Sequence, residues 1–110
     1  MTGGPLEGIK VLELGTLTAG PFAARMFAEF GAEAIKVEDT AAGDPIRNWR
    51  YLHEGTSLWW YVQARNKKSI ALNLKDARAQ AIARALALDA DVVIENYRPG
   101  VLEKWGLGYE

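Results

Sequence analysis

Apolar residues crowd positions 9 to 14, IKVLEL, and the run stops at Gly15. A short, β-branched and leucine-rich run of this kind predicts a strand buried on both faces of a sheet. After the loop GTLTAG, Pro21 stands where a first helical turn tolerates it, and Phe22, Met26 and Phe30 recur at i, i+4 and i+8 until Gly31 ends the pattern. That spacing predicts a helix. Residues 34 to 38, AIKVE, return to a strand-like pattern, so the first forty residues spell a βαβ unit.

The pattern then breaks. DTAAGDP, residues 39 to 45, is rich in turn formers, and Trp49, Tyr51, Trp59, Trp60 and Tyr61 gather around HEGT, which predicts an irregular excursion. Alternation resumes in SIALNL, residues 69 to 74. From Asp76 the apolar positions Ala79, Ile82, Ala83 and Leu86 follow helical spacing. DVVIEN, residues 91 to 96, predicts a fourth strand, and RPGVLEKWGLG predicts a loop entering a short helix stopped at Gly106 or Gly108.

Strands alternating with helical segments predict the α/β class: a Rossmann-like, open, mostly parallel sheet with helices on both faces. No repeat, low-complexity tract or linker divides residues 1 to 110, so one domain, or part of one, is expected. A four-stranded parallel sheet ending soon after its last helix would keep an open edge, which leads us to expect more chain or another subunit over it.

Composition narrows the chemistry. Thirteen basic and fourteen acidic residues give a formal charge of −1, so no global field draws nucleic acid or an anionic membrane, and any anion site must be local. The start MTGGPLEGIK carries no apolar leader pattern and no apolar run approaches a membrane span, so a cytoplasmic protein is expected. Without cysteine, and with His53 as the one histidine, neither a thiolate nucleophile nor a metal site is expected.

In open α/β sheets, ligands collect beyond the carboxyl ends of the strands. Three loops are expected there: 15 to 20, 39 to 45 and 95 to 100. The first could hold a phosphate with its amides and the Thr16 and Thr18 hydroxyls, or Thr18 or Gly20 could simply begin the helix. Gly15 and Gly20 make neither G-x-G-x-x-G nor a P-loop, yet Glu38 ends the second strand where dinucleotide-binding domains place a ribose-binding acid. Arg65, Lys67, Lys68 and Lys75 form a local basic cluster, read either as partners for a polyphosphate or as solvated loop charges. ENYRPG sets an amide, an aromatic face and a guanidinium after the fourth strand, a combination suited to an adenine with phosphates or to a structural turn. Trp59 and Trp60 are read as packing residues, and His53 as a surface residue with no role.

Taken in order, LEGIKVLELGTLTAGPFAARMFAEFGAEAIKVE, GDPIRNW, NKKSIALNLK and DVVIENYRPGVLEKWGLGYE resemble the N-terminal portion of the family III CoA-transferases. The family includes formyl-CoA and crotonobetainyl-CoA:carnitine transferases. The resemblance implies a partial CoA-binding, Rossmann-like domain over residues 1 to 110, without the catalytic and small-domain segments. It implies CoA or acyl-CoA as substrate with no permanently bound cofactor, carboxylic acids as co-substrates, and no nucleic-acid or membrane partner. Thr16, Leu17, Thr18 and Ala19 would lie against CoA, Leu72 and Lys75 would flank its adenine and phosphate end, and Asn96, Tyr97, Arg98 and Lys104 would complete the cleft. The family's nucleophilic aspartate falls beyond residue 110, and none of Asp39, Asp44, Asp76, Asp89 or Asp91 sits in its motif, so the isolated chain is expected to be inactive. Relatives often carry a basic residue where this chain has Asp39, which would repel phosphate. The family forms interlocked homodimers, and a complementing C-terminal chain is a further expected partner. Racemases of 2-methylacyl-CoA share this fold and opening, and together with a non-catalytic dinucleotide-binding module they are the alternatives.

Overall fold

A computed structural model describes residues 3–110. Its central sheet contains β1 (Lys10–Glu13), β2 (Glu33–Glu38), β5 (Lys67–Ala71) and β6 (Val92–Ile94), in the order β5-β2-β1-β6 with every pairing parallel. Counted along this sheet alone, the order is third, second, first, fourth. That is the arrangement of a dinucleotide-type half sheet, and it puts the topological switch point between β1 and β6. Helices α1 (Ala19–Glu29), α3 (Ala77–Asp89) and the short α4 (Val101–Lys104) accompany it.

The expected strands at 9–14, 34–38 and 91–96 appear as β1, β2 and β6, trimmed or extended by a residue or more at their ends. The third strand is shifted. It runs from Lys67 to Ala71, whereas alternation pointed to 69–74, because the backbone leaves the sheet after Ala71 while Leu72 and Leu74 still turn inward and stay buried. The core joins them to Leu12, Leu14, Val37, Ala79 and Ala83. A second cluster, Val11, Ala28, Ala32 and Ala34, packs with Leu6, Ile9 and Phe27.

Helix α1 forms where expected but presents a different face to the sheet. Pro21, Ala24 and Ala28 are buried, whereas Phe22, Met26 and Phe30 are exposed. Small residues let the helix lie close to the sheet, so the large side chains of the i, i+4, i+8 series face outward. In α3, Ala79 and Ala83 are buried and Leu86 packs against the core, while Ile82 is exposed.

The aromatic excursion is ordered. A 3-10 helix (Pro45–Asn48) begins at Asp44, whose carboxylate accepts the Ile46 N–H. Strands β3 (Leu52–His53) and β4 (Thr56–Ser57) then make a hairpin over Glu54 and Gly55. Both turn residues have positive φ, 50° and 82°, as a primed two-residue turn requires. Ser57 caps the six-residue α2 (Leu58–Gln63) by accepting the Trp59 N–H. Trp49 and Trp59 pack with ring centroids 5.4 Å apart, and the Arg47 guanidinium lies 3.7 Å from the Trp60 ring centroid. Trp59 thus packs on Trp49 while staying exposed, Trp60 is half-buried against Arg47, and His53 is exposed beside Tyr61.

Candidate functional site

Beyond the carboxyl ends of the strands lies a cleft of about 520 Å³, lined by Thr16 after β1, Glu38 at the end of β2 with Asp39 to Ala41 and Gly43 after it, Leu72 to Lys75 after β5, and Tyr97 and Trp105 after β6. Four of the ten candidate residues, Thr16, Leu72, Lys75 and Tyr97, meet here. Arg98 lines a neighbouring cleft of about 680 Å³ that shares Tyr97. Lys104 is exposed on α4 and lines neither. Leu17 stands before α1, Thr18 caps its start without a side-chain hydrogen bond, and Ala19 is its first residue.

Asn96 is engaged within the fold. Its Oδ1 accepts the Thr16 N–H at 2.8 Å and its Nδ2 donates to the Thr16 carbonyl at 2.9 Å, tying the loop after β1 to the loop after β6 across the switch point. Gly15 is required beneath it, since a Cβ there would overlap Asn96 Oδ1. Tyr97 packs edge-on against Trp105, with centroids 5.4 Å apart. Burial, reinforced by the negative charges of Asp44 and Glu95, pushes its phenol up to about 12, so Tyr97 acts as a neutral aromatic wall.

Behind the loops lies a group of charges that periodicity did not single out. Lys36 Nζ lies 2.5 Å from Glu13 Oε2 and 2.7 Å from Asp44 Oδ2, and Lys67 Nζ lies 2.6 Å from Glu13 Oε1. All four side chains are at most 2% exposed. Two cations and two anions balance, the condition under which buried charge is tolerated. Lys67 is thus neither a solvated loop charge nor a free phosphate partner: it donates to the Pro21 carbonyl at 2.8 Å, and burial pulls its pKa down. Lys68 is exposed and pairs with Glu33. The signal was present in the sequence, because Glu13 and Lys36 lie inside runs read as buried strands.

Glu38 is likewise committed. Burial pushes its carboxyl up, but Arg47 grips it through Nε and Nη2, both at 2.8 Å, and Ser69 Oγ and the Asp44 N–H add two more hydrogen bonds. These donors prevail and hold it at about 2. A ribose would find this acid already occupied, which removes the feature that favoured a dinucleotide. Of the aspartates, Asp76 holds Arg78, Asp89 pairs with Lys10, and Asp91 accepts the Lys10 N–H. Asp44 lies in the buried charge cluster, and Asp39 lines the cleft.

The sequence profile of CoA-transferase family III matches residues 6–110. The chain belongs to this family. It is 52% identical over 96% of its length to succinyl-CoA–D-citramalate CoA-transferase of Chloroflexus aurantiacus, covering 27% of that protein. It is 50% identical over 96% of its length to human succinyl-CoA:glutarate CoA-transferase, covering 24% of that protein. The crystal structure of a CAIB/BAIF family protein from Brucella suis superposes with a TM-score of 0.89 at 36% identity, over 98% of this chain and 30% of that one. The chain therefore spans about a quarter of the length of the curated relatives it matches. Among the described residues, no helix is long and apolar enough to cross a membrane, and no cluster of acidic residues and histidine is placed to hold a metal ion.

Proposed function

We propose that this family III chain forms the CoA-binding part of an enzyme that moves CoA from an acyl-CoA thioester to a free carboxylic acid. The observation that carries the reading is the cleft where Thr16, Leu72, Lys75 and Tyr97 converge beyond the strand ends. In this reading Tyr97 and Leu72 face the adenine, Lys75 meets a phosphate, and Thr16 to Ala19 follow the ligand along the start of α1. Arg98 and Lys104 approach it from the adjoining surface. The chemistry is nucleophilic catalysis by an aspartate outside these 110 residues, which attacks the donor thioester and expels the CoA thiolate. The thiolate then opens the resulting anhydride, releasing the donor acid and leaving an aspartyl thioester from which the acceptor carboxylate takes CoA. The complete enzyme is an interlocked homodimer in this reading. The names of the two relatives support succinyl-CoA as the donor and a dicarboxylate as the acceptor.

Calorimetric titration tests the binding half. CoA binds, 3′-dephospho-CoA binds more weakly because a phosphate partner of Lys75 is gone, and NAD does not bind. Binding of NAD without CoA would overturn the reading. The purified 110-residue chain transfers no CoA from succinyl-CoA to glutarate, and robust turnover by it would overturn the assignment of the nucleophile to another segment.

A further inference from the structure

Asp44 reaches across 27 positions to accept the Leu17 N–H on Oδ1 at 3.0 Å, while the same oxygen accepts the Ile46 N–H at 2.9 Å. Its other oxygen faces Lys36 Nζ at 2.7 Å, and its side chain is 1% exposed. Leu17 has a φ of 64°, in the left-handed region where a leucine is strained, so something must hold it there. Neighbouring backbone is fixed by the same group of charges. Lys36 donates to the Gly15 carbonyl at 3.3 Å and Lys67 to the Pro21 carbonyl at 2.8 Å. Thr16, between Gly15 and Leu17, lines the cleft.

We propose that Asp44 is a positioning residue for CoA binding: it holds the 15–18 loop in its strained shape so that Thr16 and the start of α1 are set before the ligand arrives. The proposal rests on the CoA reading of the cleft. Asp44 itself does not line the cleft and touches no ligand in this arrangement; it acts through the Leu17 amide. Its pairing with Lys36 fixes the carboxylate in turn, since a buried aspartate with one oxygen on an ammonium has little freedom to swing away. Pre-set geometry of this kind raises affinity by removing the ordering cost of the loop at the moment of binding.

Two variants of equal charge separate positioning from stability. D44N/K36M and D44A/K36M each leave Glu13 paired with Lys67, but only the asparagine keeps an oxygen facing the Leu17 and Ile46 amides. Hydrogen exchange at the Leu17 amide, thermal unfolding and CoA affinity are measured for both. Both variants lose the Lys36 bond to the Gly15 carbonyl, so they are compared with each other: the asparagine variant keeps Leu17 protected, whereas in the alanine variant the Leu17 amide exchanges about tenfold faster and CoA binds about tenfold more weakly. A Leu17 backbone ester, made by semisynthesis, deletes the N–H and leaves every side chain in place. It should weaken CoA binding by about the same factor, which settles the matter should the alanine variant fail to fold. Equal CoA affinity with and without the Leu17 hydrogen bond, in a protein that binds CoA, overturns the positioning role. Failure of the unaltered protein to bind CoA overturns the CoA reading and this proposal with it; unchanged exchange at Leu17 in the alanine variant overturns the hold on the loop itself.

Discussion

Glu13 and Lys36 are register partners on adjacent parallel strands, and their side chains meet at 2.5 Å with neither reaching solvent. Each also serves a second partner: Glu13 takes Lys67 on its other oxygen, and Lys36 reaches Asp44. The first prediction follows from this sharing. Glu13→Ala strands Lys67 as a buried cation with no carboxylate and should cost about 3–5 kcal/mol. Glu13→Leu/Lys67→Met removes an anion and a cation together and should cost clearly less. Urea unfolding of both variants decides it, and a double variant as unstable as the single one would contradict the shared-charge account.

Glu38 predicts an acid-side loss of stability. Its folded pKa of about 2 lies below the ordinary glutamate value of 4.5, so the ionised group contributes stability that is complete above 4.5 and disappears as pH falls from there through about 2. In Glu38→Gln, unfolding free energy should vary less with pH across that window than in the unaltered protein. Ser69→Ala deletes one donor and should move the folded pKa upward, narrowing the window from its acid end. Carboxylate NMR titration reads both values directly.

Much of the architecture was legible because buried parallel strands read as short apolar runs, and IKVLEL, AIKVE and DVVIEN are such runs. The same rule misplaced the third strand. Lys67 looks like a loop residue until its ammonium is seen to end on Glu13, and Leu72 and Leu74 look like strand residues although they turn inward from a loop. The exposed face of α1 was hidden for a related reason. Periodicity reports that Phe22, Met26 and Phe30 share a side, but alanine on another side can pack the sheet more closely. Of the candidate site residues, Thr16, Leu72, Lys75 and Tyr97 share one cleft, whereas Asn96 is engaged by the fold itself, as is Glu38. Partnering between residues 27 to 80 positions apart, as in Leu17 with Asp44 or Thr16 with Asn96, leaves no trace in local spacing.

The charge balance of the cleft yields a gain-of-function prediction. Lys75 is its one cationic side chain among the described residues, and Asp39 lies exposed on the same lining. If CoA phosphates enter here, Asp39→Arg replaces a repulsion by an attraction and should tighten CoA binding several-fold at low salt, with the gain shrinking as ionic strength rises. Lys75→Ala should weaken binding by a similar factor. An Asp39→Arg variant with unchanged affinity at low salt would place the phosphates elsewhere.

The hydrogen-bond pair between Thr16 and Asn96 makes the last prediction the most local. Gly15→Ala forces a Cβ into Asn96 Oδ1, so either the amide swings away from Thr16 or the β1 loop shifts. The cost should be about 1–3 kcal/mol, because two hydrogen bonds are disturbed and the site is closely packed. Asn96→Ala loses the same two bonds without the overlap and should cost about 1–2 kcal/mol. The double variant Gly15→Ala/Asn96→Ala should then be more stable than the sum of the single losses, since the methyl at 15 enters space the amide has vacated. A double-mutant cycle in urea supplies the coupling. Strict additivity would mean that the strain of Gly15→Ala arises from the backbone at Asn96, whose nitrogen also lies near the added carbon, and not from the side chain that joins the two loops.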